Sequence, residues 1–344
     1  MYYAGKIAPA LLVLGVVAGC TEQAKRPAPQ PAPEPAPAAP EPDPTRELRA
    51  ERGSLRVGMG PARHRLMLDA VVDAGTPAEP PPAAEPPGFL GKPERAVLDE
   101  LRSGQVASVT KGSGGRTSAF KIIFDSGAQA YFKPEQNWYA DVAAYYLDRA
   151  LGLGRMPPTV ARSLSLGESR SQVRGALIQA LDDKPVPAVT PPGWENWIRV
   201  ERKPHAQPAT PQPSRADLPA ELSDMIVFDF LTLNSARFGR NNANVLTLGA
   251  GGPLILLDNG DAFSKGPARR GADAHLLLLA KFRRRTIDAV RALDVQALGQ
   301  TMAADPLGPF LDTNMLRGLE TRRKAVLEHV AKQERRYGDT VYAW

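Results

Sequence analysis

Four clusters in this 344-residue chain carry side chains of a type and spacing that could do chemistry. The first is a glycine-rich turn, Lys111-Gly112-Ser113-Gly114-Gly115-Arg116, followed by a lysine in Tyr131-Phe132-Lys133-Pro134. Glycines let a backbone approach phosphates closely, and a lysine on a later strand can pair with them. Gly112, Gly114, Gly115 and Lys133 are therefore candidate nucleotide-binding residues, although a flexible hairpin and a surface lysine would look the same. The second is Asp141, eight residues after Lys133 and at the start of an amphipathic stretch. A carboxylate there can orient the lysine as an ion pair, or simply suit the helix dipole. The third is Leu257-Asp258-Asn259-Gly260, where Asp258 follows a short apolar run. A carboxylate at a strand end suits a divalent cation bound to phosphates, while Asn-Gly alone marks a plain turn. The fourth runs from Phe228-Asp229-Phe230-Leu231 through Asn234-Ser235-Ala236-Arg237-Phe238 to Asn241, Asn242 and Asn244. A polar, Asn-rich loop between a buried helix and a short strand has the shape of a catalytic loop, or of an ordinary solvated connection.

These residues need elements to hold them. Pro93 to Gly104 reads as a helix, with Val97, Leu98 and Leu101 at helical spacing. Val106 to Val109, Ala119 to Asp125 and Ala128 to Lys133 read as strands, and Ser126-Gly127 is a hairpin turn signal. Asp141 to Leu151 is a helix with Val142, Tyr145, Tyr146 and Ala150 in register. Val173 to Ala180 is the next strand, residues 182–217 are a proline-rich loop, and Leu222 to Leu233 is a strongly apolar helix. Asn244 to Leu248 and Leu254 to Leu257 are short strands, and Ala274 to Arg336 is mostly helical with a break near Pro306.

In this order the clusters resemble the four-jointed and Golgi casein-kinase group of secretory-pathway kinases and their bacterial relatives. The similarity is carried by Ala130-Tyr131-Phe132-Lys133-Pro134, by Asp141 to Arg149, by Met156-Pro157-Pro158-Thr159-Val160-Ala161-Arg162, by Val227 to Leu231 and by Leu257-Asp258-Asn259-Gly260. It extends from about Val106 to about Thr286. The resemblance implies an α+β, two-lobed atypical protein-kinase-like fold with ATP and Mg or Mn between the lobes. Lys133 would hold the phosphates, Asp141 would be its acidic partner, and Asp258 would bind metal with an asparagine, for which Asn244 is preferred over Asn241 or Asn242. One position departs from the family. Its loop reads Asn-x-Asp-Arg, whereas this chain has Ala236 where the Asp accepts the substrate proton. A methyl group accepts no proton, and losing a general base typically costs about 10²–10⁴-fold in rate. The expectation is a pseudokinase that binds nucleotide and acts through a protein or glycan partner. The alternatives are an active kinase for a protein or glycan hydroxyl, and a structural envelope lipoprotein with a vestigial pocket.

The remaining sequence says where such a domain would work. Lys6, the apolar run Ile7 to Val17 and Val17-Ala18-Gly19 before Cys20 read as a lipoprotein signal over residues 1–19. The run is shorter than the roughly 20 apolar residues a span needs. Cys20, the only cysteine, would carry the lipid and anchor the chain to a bacterial envelope, the outer membrane by the identity of Thr21. Residues 20–88 read as a linker, because Pro27 to Pro44 holds 9 prolines and Pro77 to Pro87 holds 6. Within it, His64 to Val72 could be a short helix. Residues 89–344 are the expected kinase-like domain, with an N-lobe to about 190 and a C-lobe from about 191. A lone cysteine excludes a disulfide scaffold, and 43% hydrophobic residues exclude disorder throughout. Ser108-Val109-Thr110-Lys111 lacks the companion motifs of penicillin-binding enzymes. The histidines (His64, His205, His275, His329) show no metal spacing. Lys281-Phe282-Arg283-Arg284-Arg285 reads as a solvated basic helix face, and a net charge of +6 alone does not argue for nucleic acid.

Overall fold

Alternating burial builds the first sheet. The computed structural model describes residues 87–112, 119–134, 137–166, 171–188, 190–200, 210–238, 242, 244–263 and 270–344. Cys20, the His64–Val72 stretch, the first proline tract, all of the second but Pro87, Gly114, Gly115 and Asn241 lie outside them. The described residues all belong to one unit, Glu79–Trp344. Helix α1 (Arg95–Ser103) leads into β1 (Val106–Lys111), β2 (Phe120–Phe124) and β3 (Gln129–Lys133). Gly127, at φ 85°, makes the β2–β3 turn that Ser126-Gly127 predicts. In β3 Ala130 and Phe132 are buried while Gln129 and Tyr131 are exposed, so Lys133 shares the face opposite Phe132. Ile122, Phe124, Ala130 and Phe132 pack with Leu101 of α1 in a small core of their own.

Helix α2 (Tyr139–Ala150) follows, then β4 (Thr159–Ser165) and β5 (Gln172–Gln179), completing an antiparallel sheet of order β1-β2-β3-β5-β4. β4 is a strand that the sequence reading did not assign. β6 (Pro185–Pro187) and a 3-10 turn at Trp194–Ile198 also interrupt the expected 182–217 loop. Both prolines of β6 are tolerated because the strand lies at the edge of a second sheet, β6-β7-β8, with β7 (Leu246–Leu248) and β8 (Leu254–Ile255).

Helix α3 (Leu218–Thr232) starts four residues before the expected Leu222, with Pro219 in its first turn, where a missing N–H costs nothing. Every one of its residues is buried, including Glu221, Asp224 and Asp229, each of which pairs with an arginine. Leu233, at φ 61°, ends it in the left-handed conformation and swings the chain into Asn234. The C-terminal region forms α4 (Arg270–Leu278), α5 (Arg284–Ala292), α6 (Val295–Ala303) and α7 (Thr313–Tyr337). The basic run is not a solvated helix face. Its first three residues lie between α4 and α5, Phe282 is fully buried and Arg283 pairs with Asp224 at 3.0 Å. The larger core joins α2, Ala176 and Ile178 of β5, α3 and the C-terminal helices.

Candidate nucleotide site

Lys133 is the last residue of β3, and Asp141 sits in the first turn of α2, its side chain 2% exposed. The Lys133 Nζ lies 3.2 Å from Asp141 Oδ2 and 3.1 Å from Asp258 Oδ1. Burial alone would lower the lysine's pKa, but the two carboxylates outweigh it and hold the ammonium above its ordinary value. The other oxygen of Asp141 accepts the backbone N–H of Asn259 at 2.9 Å. One carboxylate thus ties the end of β3 to the loop after β8, across a separation of more than a hundred residues. Asp258 adopts φ 54°, a conformation uncommon outside glycine, and its side chain is 65% exposed. Asn137 adds a further tie by donating to the Gly260 carbonyl.

A buried polar network supports this loop from behind. Arg237 is 1% exposed, and its Nε donates to both oxygens of Asp229 at 2.8 and 2.9 Å. One terminal nitrogen donates to the Leu257 carbonyl at 2.7 Å, and the other to Asn259 Oδ1 at 2.7 Å. The guanidinium therefore grips the residues on both sides of Asp258. Asn259, fully buried, also receives Asn234 Nδ2 at 3.4 Å and donates to the Leu256 carbonyl at 3.3 Å. Burial pushes the Asp229 carboxyl up to about 6, against the pull of Arg237.

Ala236 is held in the loop between these groups. Its N–H donates to Asn234 Oδ1 at 3.2 Å, and its carbonyl accepts Asn244 Nδ2 at 3.3 Å. Asn244 is exposed, and its amide nitrogen is fixed by the Ala236 carbonyl. Asn242 faces elsewhere, its amide lying between Thr190, Trp194 and Phe238. Asp229, one of the two nearby acids, is engaged by Arg237 on both oxygens. The other, Asp261, is exposed in the turn after Gly260. Gly112 closes the β1–β2 hairpin through its N–H to Ala119 at 2.8 Å, and an added Cβ would stand 2.9 Å from that carbonyl. Through the pairs Lys111–Phe120 and Phe120–Phe132, Gly112 lies at the same end of the sheet as Lys133.

Among the described residues no group of three or more His, Cys, Asp or Glu could hold a metal by itself. A single carboxylate with an amide oxygen suits Mg²⁺ or Mn²⁺ only when phosphates complete the shell, which is how Mg²⁺ is usually bound at nucleotide sites. Asp258 and Asn244 carry donors of these two types.

No protein-family description matches the chain, and no curated protein matches it. Solved structures do. The Golgi casein kinase aligns at TM-score 0.54 and 18% identity, over 74% of this chain and 80% of that one. The hydra Fam20 solved with sugar aligns at 0.56 and 19%, over 71% and 90%. The domain has a Fam20-like kinase fold. The Golgi casein kinase solved with Mn/ADP bound aligns at 0.52 and 17%, over 73% and 79%. At these identities the likeness is one of architecture, and it bears out the two-lobed, mixed α and β kinase-like fold expected from the motifs.

Lys133, Asp141 and Asp258, all expected from the sequence, come together at the lysine, whose Nζ lies 3.2 Å from Asp141 and 3.1 Å from Asp258. The Asp229–Arg237–Asn259 support is not apparent from the sequence motifs. The available signal was Asp229 itself, a charge in the midst of Met225 to Leu231, which burial allows only with a partner.

Proposed function

We propose that residues 89–344 bind a nucleoside di- or triphosphate with Mg²⁺ or Mn²⁺, and that the protein is a pseudokinase acting through a protein or glycan partner. The observation that carries this reading is the contrast within one site. The Lys133–Asp141–Asp258 cluster is assembled, while the loop beside it presents the methyl group of Ala236. Lys133 would take the phosphates, Asp141 would orient the lysine, and Asp258 with Asn244 would hold the cation. Bound metal would neutralise phosphate charge. The Golgi casein kinase was solved with Mn/ADP, which supports this ligand class for the shared fold. The lipid anchor on Cys20 and the envelope location are part of the same proposal and rest on the signal-like N-terminus.

A second reading, slow phosphotransfer, is favoured by the surviving ion pair, because positioning and electrostatics supply most of such catalysis. One experiment separates the two. Calorimetry should show Mn-ADP binding to wild type and at least about tenfold weaker binding to Lys133→Ala and Asp258→Ala, the scale of one lost charge-assisted contact. Ala236→Asp should bind equally well and gain turnover of ATP. Absence of binding by wild type sinks the proposal; turnover by wild type favours the second reading.

A further inference from the structure

Helix α2 carries more than Asp141. Tyr145 and Arg149 follow at four and eight residues, which places all three on one stripe of the helix. Tyr145 and Arg149 both end on one residue from another segment. Glu94, 8% exposed and just before α1, accepts the Tyr145 hydroxyl and Arg149 Nε on Oε1, each at 2.7 Å. Its Oε2 accepts a second Arg149 nitrogen at 2.7 Å and the backbone N–H of Phe89 at 3.1 Å. This is a forked arginine–carboxylate pair, the strongest and most directional form of such contact.

The segment carrying Glu94 is itself seated. Leu90 N–H donates to the Gly154 carbonyl at 2.8 Å. Gly154, at φ 61°, lies so close that an added Cβ would stand 2.7 Å from the Gly88 carbonyl. Residues 88–94 thus form a strap across the C-terminal end of α2. A helix is stiff, and the eight residues from Asp141 to Arg149 span about 12 Å. Motion released at one end is therefore carried to the other.

We infer that Glu94 is a positioning residue: through Arg149 and Tyr145 it fixes the far end of α2 and so holds Asp141 against Lys133 and the Asn259 amide. The nucleotide consequence rests on the function proposed above; the geometric consequence does not. The alternative is a local staple that stabilises residues 88–94 and nothing else.

Hydrogen exchange at the Asn259 amide tests this directly, because that N–H is donated to Asp141. The full chain is compared as wild type, Glu94→Gln and Arg149→Lys, without ligand, and Mn-ADP affinity is measured by calorimetry. Glu94→Gln should speed exchange at Asn259 and at residues 141–143 while β1 to β3 stay protected. It should also weaken Mn-ADP binding about 3- to 30-fold, the usual range for coupling through a packed element. Arg149→Lys keeps the charge but loses the fork, and should act in the same direction to a lesser degree; it decides the matter if Glu94→Gln does not fold. Faster exchange confined to residues 88–94 and 145–149, with Asn259 unchanged, overturns the inference. A wild type that fails to bind Mn-ADP defeats the nucleotide reading, and exchange at Asn259 then decides the strap alone.

Discussion

Asp229 lies in a helix with no exposed residue, and its two oxygens share one donor, the Arg237 Nε. Desolvation there exceeds what the arginine returns, so its pKa rises from 3.8 to about 6. Between about pH 4 and pH 6 the folded protein binds more protons than the unfolded chain, so stability from this group falls as pH rises through that window. The full loss, reached above about pH 6, is on the order of 3 kcal/mol. Urea titrations of wild type and Asp229→Asn at several pH values should show the difference moving in the variant's favour as pH is raised from about 4 to about 6.5. A difference independent of pH, or one moving toward wild type, contradicts this account. Residue identity was legible in the sequence wherever chemistry names the atom: Lys133, Asp141 and Asp258 could be chosen by type and order. Asn259 and Arg237 could not, since their role depends on being buried behind Asp258, and burial is a property of the fold rather than of the motif.

At the level of elements, β3 is located by what β5 lacks. Gly175 pairs with Arg162 of β4, and a Cβ placed on it would stand 2.6 Å from both the Lys133 carbonyl and the Phe132 ring. Neither neighbour is the free end of a flexible chain. Gly175→Ala must therefore push β3 away from β5, and overpacking of this kind costs about 1–3 kcal/mol. Lys133 moves with its strand, so the variant should lose thermal stability and also show a longer Lys133–Asp141 separation in a crystal structure. Unchanged melting would mean that the two strands separate freely. The same pair of strands shows what the sequence hid. β5 was readable because Ala176, Leu177 and Ile178 form an apolar run. β4 was not, because the face bearing Val160 and Leu164 carries Arg162 between them. That arginine belongs on the core side: it donates to the Leu101 and Gly104 carbonyls at 2.9 and 2.7 Å, closing the C-terminal end of α1. A charged residue that caps a neighbouring helix breaks the alternation by which a strand is recognised.

At the scale of the molecule, the proposed site is distributed over elements that one core holds together. α2 brings Asp141, α3 leads into the Ala236 loop, and both lie in the same buried cluster as Ala176 and Ile178 of the five-stranded sheet. Among the described residues the sheet's separate cluster contains eight buried side chains, a small apolar core for a unit folding by itself. The two lobes should therefore unfold together. The proline tracts and Cys20 belong to a different part of the chain, legible from composition and from a signal-like N-terminus. One experiment tests both the anchor and the shared core. Cys20→Ser should move the protein from the membrane fraction to the soluble fraction when expressed in a bacterium that processes lipoproteins. Its calorimetric trace should still show one transition with matching calorimetric and van 't Hoff enthalpies, as expected of a single cooperative unit. Retention in the membrane fraction would refute the anchor. Two resolved transitions would refute the shared core, because a sheet able to melt separately would have to be stable without α2 and α3 beneath it.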